Sequence, residues 1–370
     1  IGAIYPFYTK KWNASIVDIC FSILKVVGVV FGILYCLKVG PAWFFAPDIG
    51  PFLYEKLVIS VSLLVPIGSA FLALLVGYGL LEFIGTFCRP IMRPLWNTPG
   101  RSAIDAVASF VGSYSLALLI TNRVYKEGKY TTKEAAIIAT GFSTVSATFM
   151  IIIAKTLDIM HLWNVYFWTT LVVTFIVTAI TVRIPPLSRK PDTYVTEEGF
   201  PEPVYKEKML ERAWEDALEV SKSAPSIMKN IAVNLKDGFI MTMGILPSIM
   251  SVGLIGIVLA KFTPIFDWIS YIFYPFTWLL QLPEADLAAK AASVGIAEMF
   301  LPSLLVVSEP LVTKFVIAVV SVSSILFFSA SIPCILSTDI PLKVSELIIL
   351  YVQRTILTLL IITPIAYLLL

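Results

Sequence analysis

Long uncharged apolar stretches recur along this chain, and they set its architecture. Residues 57–81 and 162–182 carry only isolated polar positions, and each is long enough to cross roughly 30 Å of hydrocarbon as a helix. The pattern predicts spans near 16–36, 57–78, 135–154, 162–182, 239–260, 310–330 and 344–369. Period-two alternation over about ten residues, the mark of an outer-membrane barrel, is absent. At 81–98 the period changes. Phe83, Ile84, Phe87, Ile91, Leu95 and Trp96 recur at helical spacing while Arg89, Arg93 and Asn97 take another face, which predicts an amphipathic helix lying in the interface. Residues 266–281 predict a second.

Two further apolar segments are interrupted. Residues 103–121 are broken by Gly112-Ser113-Tyr114-Ser115, and 285–308 by the residues around Gly295. As straight crossings they would put a polar, helix-breaking kink at mid-membrane, so re-entrant hairpins are predicted. Unwound backbone at that depth survives only when buried in protein or lining a wet cavity. The span 135–154 has its own polar break, Gly141 to Ser146.

The order of elements repeats. Glu82 to Pro90 has the acidic start and closing proline of Asp267 to Pro275; Pro99 corresponds to Pro283, Gly112 to Gly295, and Thr132-Lys133 to Thr313-Lys314. The offset drifts from 185 to 181 residues, which reads as a duplication. Four segments follow: N-terminal helices at 1–80, a first repeat at 81–182, a charged linker at 183–236 and a second repeat at 237–370. With both hairpins re-entrant, one side receives nineteen Lys and Arg and the other six. The richer side, holding 81–134 and 183–236, is then cytoplasmic. The same path makes the hairpins enter from opposite faces, so the repeat is inverted. The fold class is thus an all-α polytopic membrane protein with two re-entrant hairpins and interfacial amphipathic helices, in the plasma membrane.

Composition agrees. The chain is 58% hydrophobic and 14% charged with a mean hydropathy of +0.88, which excludes a water-soluble protein of this length. A net charge of +2 speaks against nucleic acid as a partner. Four scattered cysteines and one histidine, His161, assemble no zinc or haem ligand set. No nucleophile and base pair or phosphate loop is recognisable, so the chain reads as no enzyme.

Phe110-Val-Gly-Ser-Tyr-Ser115 and Ala139-Thr-Gly-Phe-Ser-Thr-Val-Ser146 resemble the hairpin and broken helix of concentrative nucleoside transporters, and Gly295-Ile-Ala-Glu298-Met-Phe resembles their second hairpin. Organisation and length look closest to the YjiH family, bacterial membrane proteins with a "nucleoside recognition" Gate domain. Ser113, Tyr114 and Ser115 stand where the transporters keep Gln, Thr and Glu, and Ala297 where they keep Asn, so the side chains that would hold a ribose or base are changed.

Glu298 is kept, and a carboxylate at membrane depth is paired, protonated or facing a cavity. It either hydrogen-bonds a substrate, carries a coupling proton, or pairs with Lys290 or Arg354. Arg354, about ten residues into the last span, either binds an anionic substrate or neutralises Glu298 or Glu346. Asp105 and Lys290 read as solvated or paired charges near the surface. The hydroxyls Ser143, Thr144, Ser146, Ser321, Ser323 and Ser324 lie in the broken helices, where they either dehydrate a sodium ion, the first two above all, or pack helices closely. The half-helix N-termini at the tips, with Gly112 and Gly295, offer partial positive charge to an anionic group. The reading is a secondary active transporter of a small polar solute, nucleoside-like or a small organic or amino acid, coupled to sodium or protons and assembled as a homo-oligomer. The alternative is a non-transporting Gate-domain scaffold that binds a partner through the linker.

Overall fold

In the computed structural model, residues 3–8, 16–47, 49–76, 78–111, 114–196, 198–203 and 208–370 are described, and among them every regular element is helical. The chain opens with α1 (Tyr5–Tyr8), α2 (Ile16–Leu37) and α3 (Ile59–Val76), the last preceded by a π-helical stretch at Phe52–Val58. Then come α4 (Leu80–Trp96), α5 (Ala103–Val111), α6 (Tyr114–Lys126), α7 (Thr132–Gly141), α8 (Ala147–Thr156) and α9 (Trp163–Thr181). The charged segment holds α10 (Met209–Ser223) and the start of α11 (Ile227–Phe262). The rest is α12 (Ile265–Ser270), α13 (Tyr274–Leu279), α14 (Ala285–Val294), α15 (Leu301–Leu305), α16 (Leu311–Ser323), α17 (Ser331–Leu336) and α18 (Val344–Leu369).

Met160–Thr181, Ile227–Phe262 and Val344–Leu369 are each long and apolar enough to cross a membrane, and the chain is a multi-pass membrane protein. The spans 135–154 and 310–330 are each cut in two, as expected of the broken helices. The first cut has a local cause. Ser143 Oγ donates to the Ile138 carbonyl at 3.5 Å and Ser146 Oγ caps α8 by accepting from Phe149 N at 3.4 Å, so hydroxyls offer the backbone partners outside the helix ladder. At the second cut, residues 324–330, Ile325 sits at φ +64°, a left-handed conformation that is strained for a β-branched side chain.

The amphipathic stretch at 81–98 is one helix, α4, ended by Asn97 at φ +55°. Its later counterpart is two short helices, with Pro275 in the first turn of α13, where a missing N–H is no loss. Helix α11 lies along α2 and α3. A Cβ on Gly28 would come within 1.8 Å of the Pro247 carbonyl oxygen, so glycine sets the closest approach of α2 to α11. Helices α9, α16 and α18 pack on one another.

The charged segment does not hang free over residues 191–203. Thr132 N donates to the Thr193 carbonyl at 2.8 Å, Lys133 N to that of Pro191 at 3.1 Å, and Phe200 N to that of Gly128 at 2.8 Å. Beyond them Glu202, 7% exposed, accepts from the amides of Gly100 and Arg101 at 2.8 and 3.0 Å. The guanidinium groups of Arg89 and Arg101 lie at 3.5 and 3.8 Å from its carboxylate. This strap ties the charged segment to the base of the α5–α6 pair.

Candidate functional site

The α5–α6 and α14–α15 pairs each bring a tip to the other half's broken helix. Tyr114, which opens α6, meets Phe327 of the second break with ring centroids 5.7 Å apart. Phe300, just before α15, meets Phe149 of α8 at 6.1 Å. Each pair is also tied to the break in its own half. Ser109 Oγ of α5 donates to the Thr144 carbonyl, while Phe328 N and Ser329 N donate to the carbonyls of Ile296 and Ala297 at 2.7 and 2.9 Å. Tips and breaks therefore form one closed cluster.

Glu298 lies inside it, with none of its surface exposed. Its Oε2 accepts from Phe300 N at 2.6 Å and Leu301 N at 3.1 Å, because the chain turns at 295–300 and points the first free amides of α15 back at it. The N-terminal donors expected to face an anionic solute at this tip are thus taken by the protein's own carboxylate. Oε1 has no hydrogen-bond partner. Leaving a buried acceptor unmade is costly. Ser303 Oγ and Ser329 Oγ, on the same second half, are buried and unpartnered as well.

Neither pairing expected for Glu298 forms. Lys290 bonds to Asp267 Oδ1 at 2.6 Å on a partly exposed surface, and Arg354 makes no ion pair among the described residues. Glu346 is taken by Lys190 at 2.8 Å. Arg354, 1% exposed, donates from Nε to the Ser323 carbonyl at 2.9 Å and from Nη1 to Thr178 Oγ1 at 3.0 Å. The reason is reach: the side chain leaves the middle of α18 where α9 and α16 pack against it, and those helices present hydroxyls and a helix end there, not carboxylates.

Asp105, expected near the surface, is fully buried. Thr121 Oγ1 donates to its Oδ1 at 2.6 Å and Tyr130 Oη to its Oδ2 at 2.7 Å. These partners lie 16 and 25 residues downstream, too far for local pattern to show. Gly112 and Ser113 lie outside the described residues. Ser115, Ser143, Thr144, Ser321 and Ser324 are buried. Ser321 Oγ donates to the Ile317 carbonyl at 2.8 Å and Ser324 Oγ to that of Ser321 at 3.2 Å, while the Thr144 carbonyl is occupied by Ser109. A Cβ on Gly295 would come within 2.6 Å of Tyr351 Oη, whose proton goes to the Ala292 carbonyl at 2.6 Å; glycine there lets the tip turn against α18.

The sequence reading missed Ser303, Ser329 and Thr178. For Ser329 a signal existed, since Ser329-Ala-Ser331 is a polar interruption like Ser143 to Ser146.

Residues 58–160 match the family model Gate, described as nucleoside recognition. The chain is also 37% identical over 354 residues to a protein of Alkalihalophilus pseudofirmus described as uncharacterized, an alignment covering 93% of this chain and 75% of that protein. No solved structure matches the chain.

Proposed function

We propose, on the premise that this chain belongs to the nucleoside-recognition Gate-domain family, that it is a secondary active transporter of a small polar solute. The solute, nucleoside-like or a small organic or amino acid, is held between the tips of two re-entrant hairpins, α5–α6 and α14–α15. The hairpins enter from opposite faces of the plasma membrane within an inverted repeat, with 81–134 and 183–236 in the cytoplasm. The protein works as a homo-oligomer. A sodium or proton gradient drives it, with Ser143 and Thr144 supplying oxygens for the former and Glu298 a titratable group for the latter.

The observation that carries this reading is Glu298 Oε1, an acceptor buried without a partner inside the cluster that joins the helix pairs to the breaks. Carboxylates at such depth pair with other groups or face a cavity, and a half-bonded one fits a group that gains its second partner from a solute or a proton. The exchange of contacts supports the inverted repeat: Tyr114 against Phe327 and Phe300 against Phe149, with α17 on α6 and α15 on α8. Two nine- and thirteen-residue helices such as α5 and α6 reach only about 14 and 20 Å, which suits a hairpin that turns back.

The experiment is flux into proteoliposomes of nucleosides, bases, amino acids and organic acids under imposed sodium or proton gradients, with Glu298→Gln alongside. Gradient-driven uptake of one class, lost in a Glu298→Gln protein that still folds, is the expected result. Uptake by that variant at the wild-type rate under every gradient removes the role given to Glu298. If no solute moves, and deleting 183–236 abolishes capture of a partner protein, the scaffold reading replaces this one.

A further inference from the structure

A helix that stops inside a protein leaves its last carbonyls unpaired and carries roughly half a negative charge there. Among the described residues, two buried ends of this kind correspond to each other: α7 stops at Gly141 and α16 at Ser323. They stand 182 residues apart, within the offset of the sequence repeat, so they are matching points of its two halves. Paired ends of this kind are places where a transporter can hold a metal cation.

One side chain reaches both. Arg354 Nε donates directly to the Ser323 carbonyl at 2.9 Å. Its Nη1 donates to Thr178 Oγ1 at 3.0 Å, and the single proton of that hydroxyl is shared between the Thr174 carbonyl at 2.8 Å and the Gly141 carbonyl at 3.0 Å. Thr358, one turn along α18, donates to Ser323 Oγ at 3.0 Å and steadies that end. No carboxylate among the described residues pairs with the guanidinium. Two ends of about half a negative charge each balance one positive charge, although the buried Nη2 has no hydrogen-bond partner, and a second cation there would have nothing to balance it. The position 182 residues before Arg354 is Val172, 49% exposed on α9. A single arginine thus serves both halves, as a group midway between two matching ends can.

We propose that the Arg354 guanidinium is a resident cation that neutralises the half-helix ends at Gly141 and Ser323, standing where a coupling sodium would otherwise bind. The structural part stands by itself. The consequence, a transport cycle that needs no sodium and is left with the proton at Glu298, rests on the transporter reading above.

The test is thermal unfolding of the full-length protein in detergent, in sodium chloride and choline chloride at equal ionic strength. The wild type is expected to melt at the same temperature in both; a rise specific to sodium overturns the proposal. Arg354→Ala is expected to lose about 5 to 10 °C and to recover part of it in millimolar guanidinium chloride, a cation that fits the space vacated, but none in choline. Absence of recovery overturns the proposal. Should Arg354→Ala not fold, Arg354→Lys, which keeps the charge, and Arg354→Met, which keeps much of the volume, decide: Lys melting above Met supports a cation, and Met at or above Lys refutes it. None of these readings needs flux, so a protein that moves no solute would sink the transporter reading and leave this one standing.

Discussion

Asp105 and Glu298 are both carboxylates with no exposed surface, one in each interrupted helix pair, yet their surroundings differ. Both oxygens of Asp105 accept from hydroxyls, Thr121 and Tyr130. Glu298 has one oxygen bonded to backbone amides and one bonded to nothing. The first pair is also fastened at its base by Glu202, whereas the second is joined to its surroundings there by the half-exposed Lys290–Asp267 pair. Burial alone therefore does not set how completely a carboxylate is bonded; the donors its neighbours supply do.

Matched amide substitutions bring the difference out. Asp105→Asn sets an NH2 group against a hydroxyl that needs an acceptor, and is expected to cost about 2 to 3 kcal/mol of stability in a denaturant titration. Glu298→Gln keeps an oxygen for Phe300 and Leu301 and turns its NH2 to the unpartnered side, so its cost should stay below about 1 kcal/mol. The reverse order would break the comparison. Glu202→Ala removes the acceptor for two buried amides and leaves Arg89 and Arg101 without their anion; about 2 kcal/mol is expected, with faster proteolysis across 191–203. Unchanged protection there would mean that the strap is held by its backbone bonds alone. Lys290→Ala is the smallest, under about 0.5 kcal/mol, because the pair it breaks is solvent-screened.

How far these features could be read beforehand depended on whether their signals were local. The span at 344–369 matches α18 (Val344–Leu369) because a long apolar run between polar residues is itself the signal. The break after Gly141 was legible in its run of serines and threonine. The break at 324–330 was signalled only at its edges, by Ser321, Ser323, Ser324, Ser329 and Ser331, since Ile325-Leu-Phe-Phe328 is as apolar as any helix and its departure depends on backbone bonds to Ile296 and Ala297. Glu298 could be found as a lone charge in an apolar segment. The partners of Arg354 could not: one is a main-chain carbonyl, which every residue has, and the other a threonine on a different helix. Asp105 was misjudged for the same reason, since its depth follows from Thr121 and Tyr130 folding back over it.

Helix α11 is continuous for 36 residues, about 54 Å, while the hydrocarbon it can occupy is roughly 30 Å thick. Its first turns carry Lys229, Lys236 and Asp237 and its remainder is apolar up to Lys261, so one rod spans two solvents. Gly28 fixes its position at Pro247, the residue that also removes a rung from its own hydrogen-bond ladder. A neighbouring helix therefore braces the rod at the point where its own ladder lacks a bond.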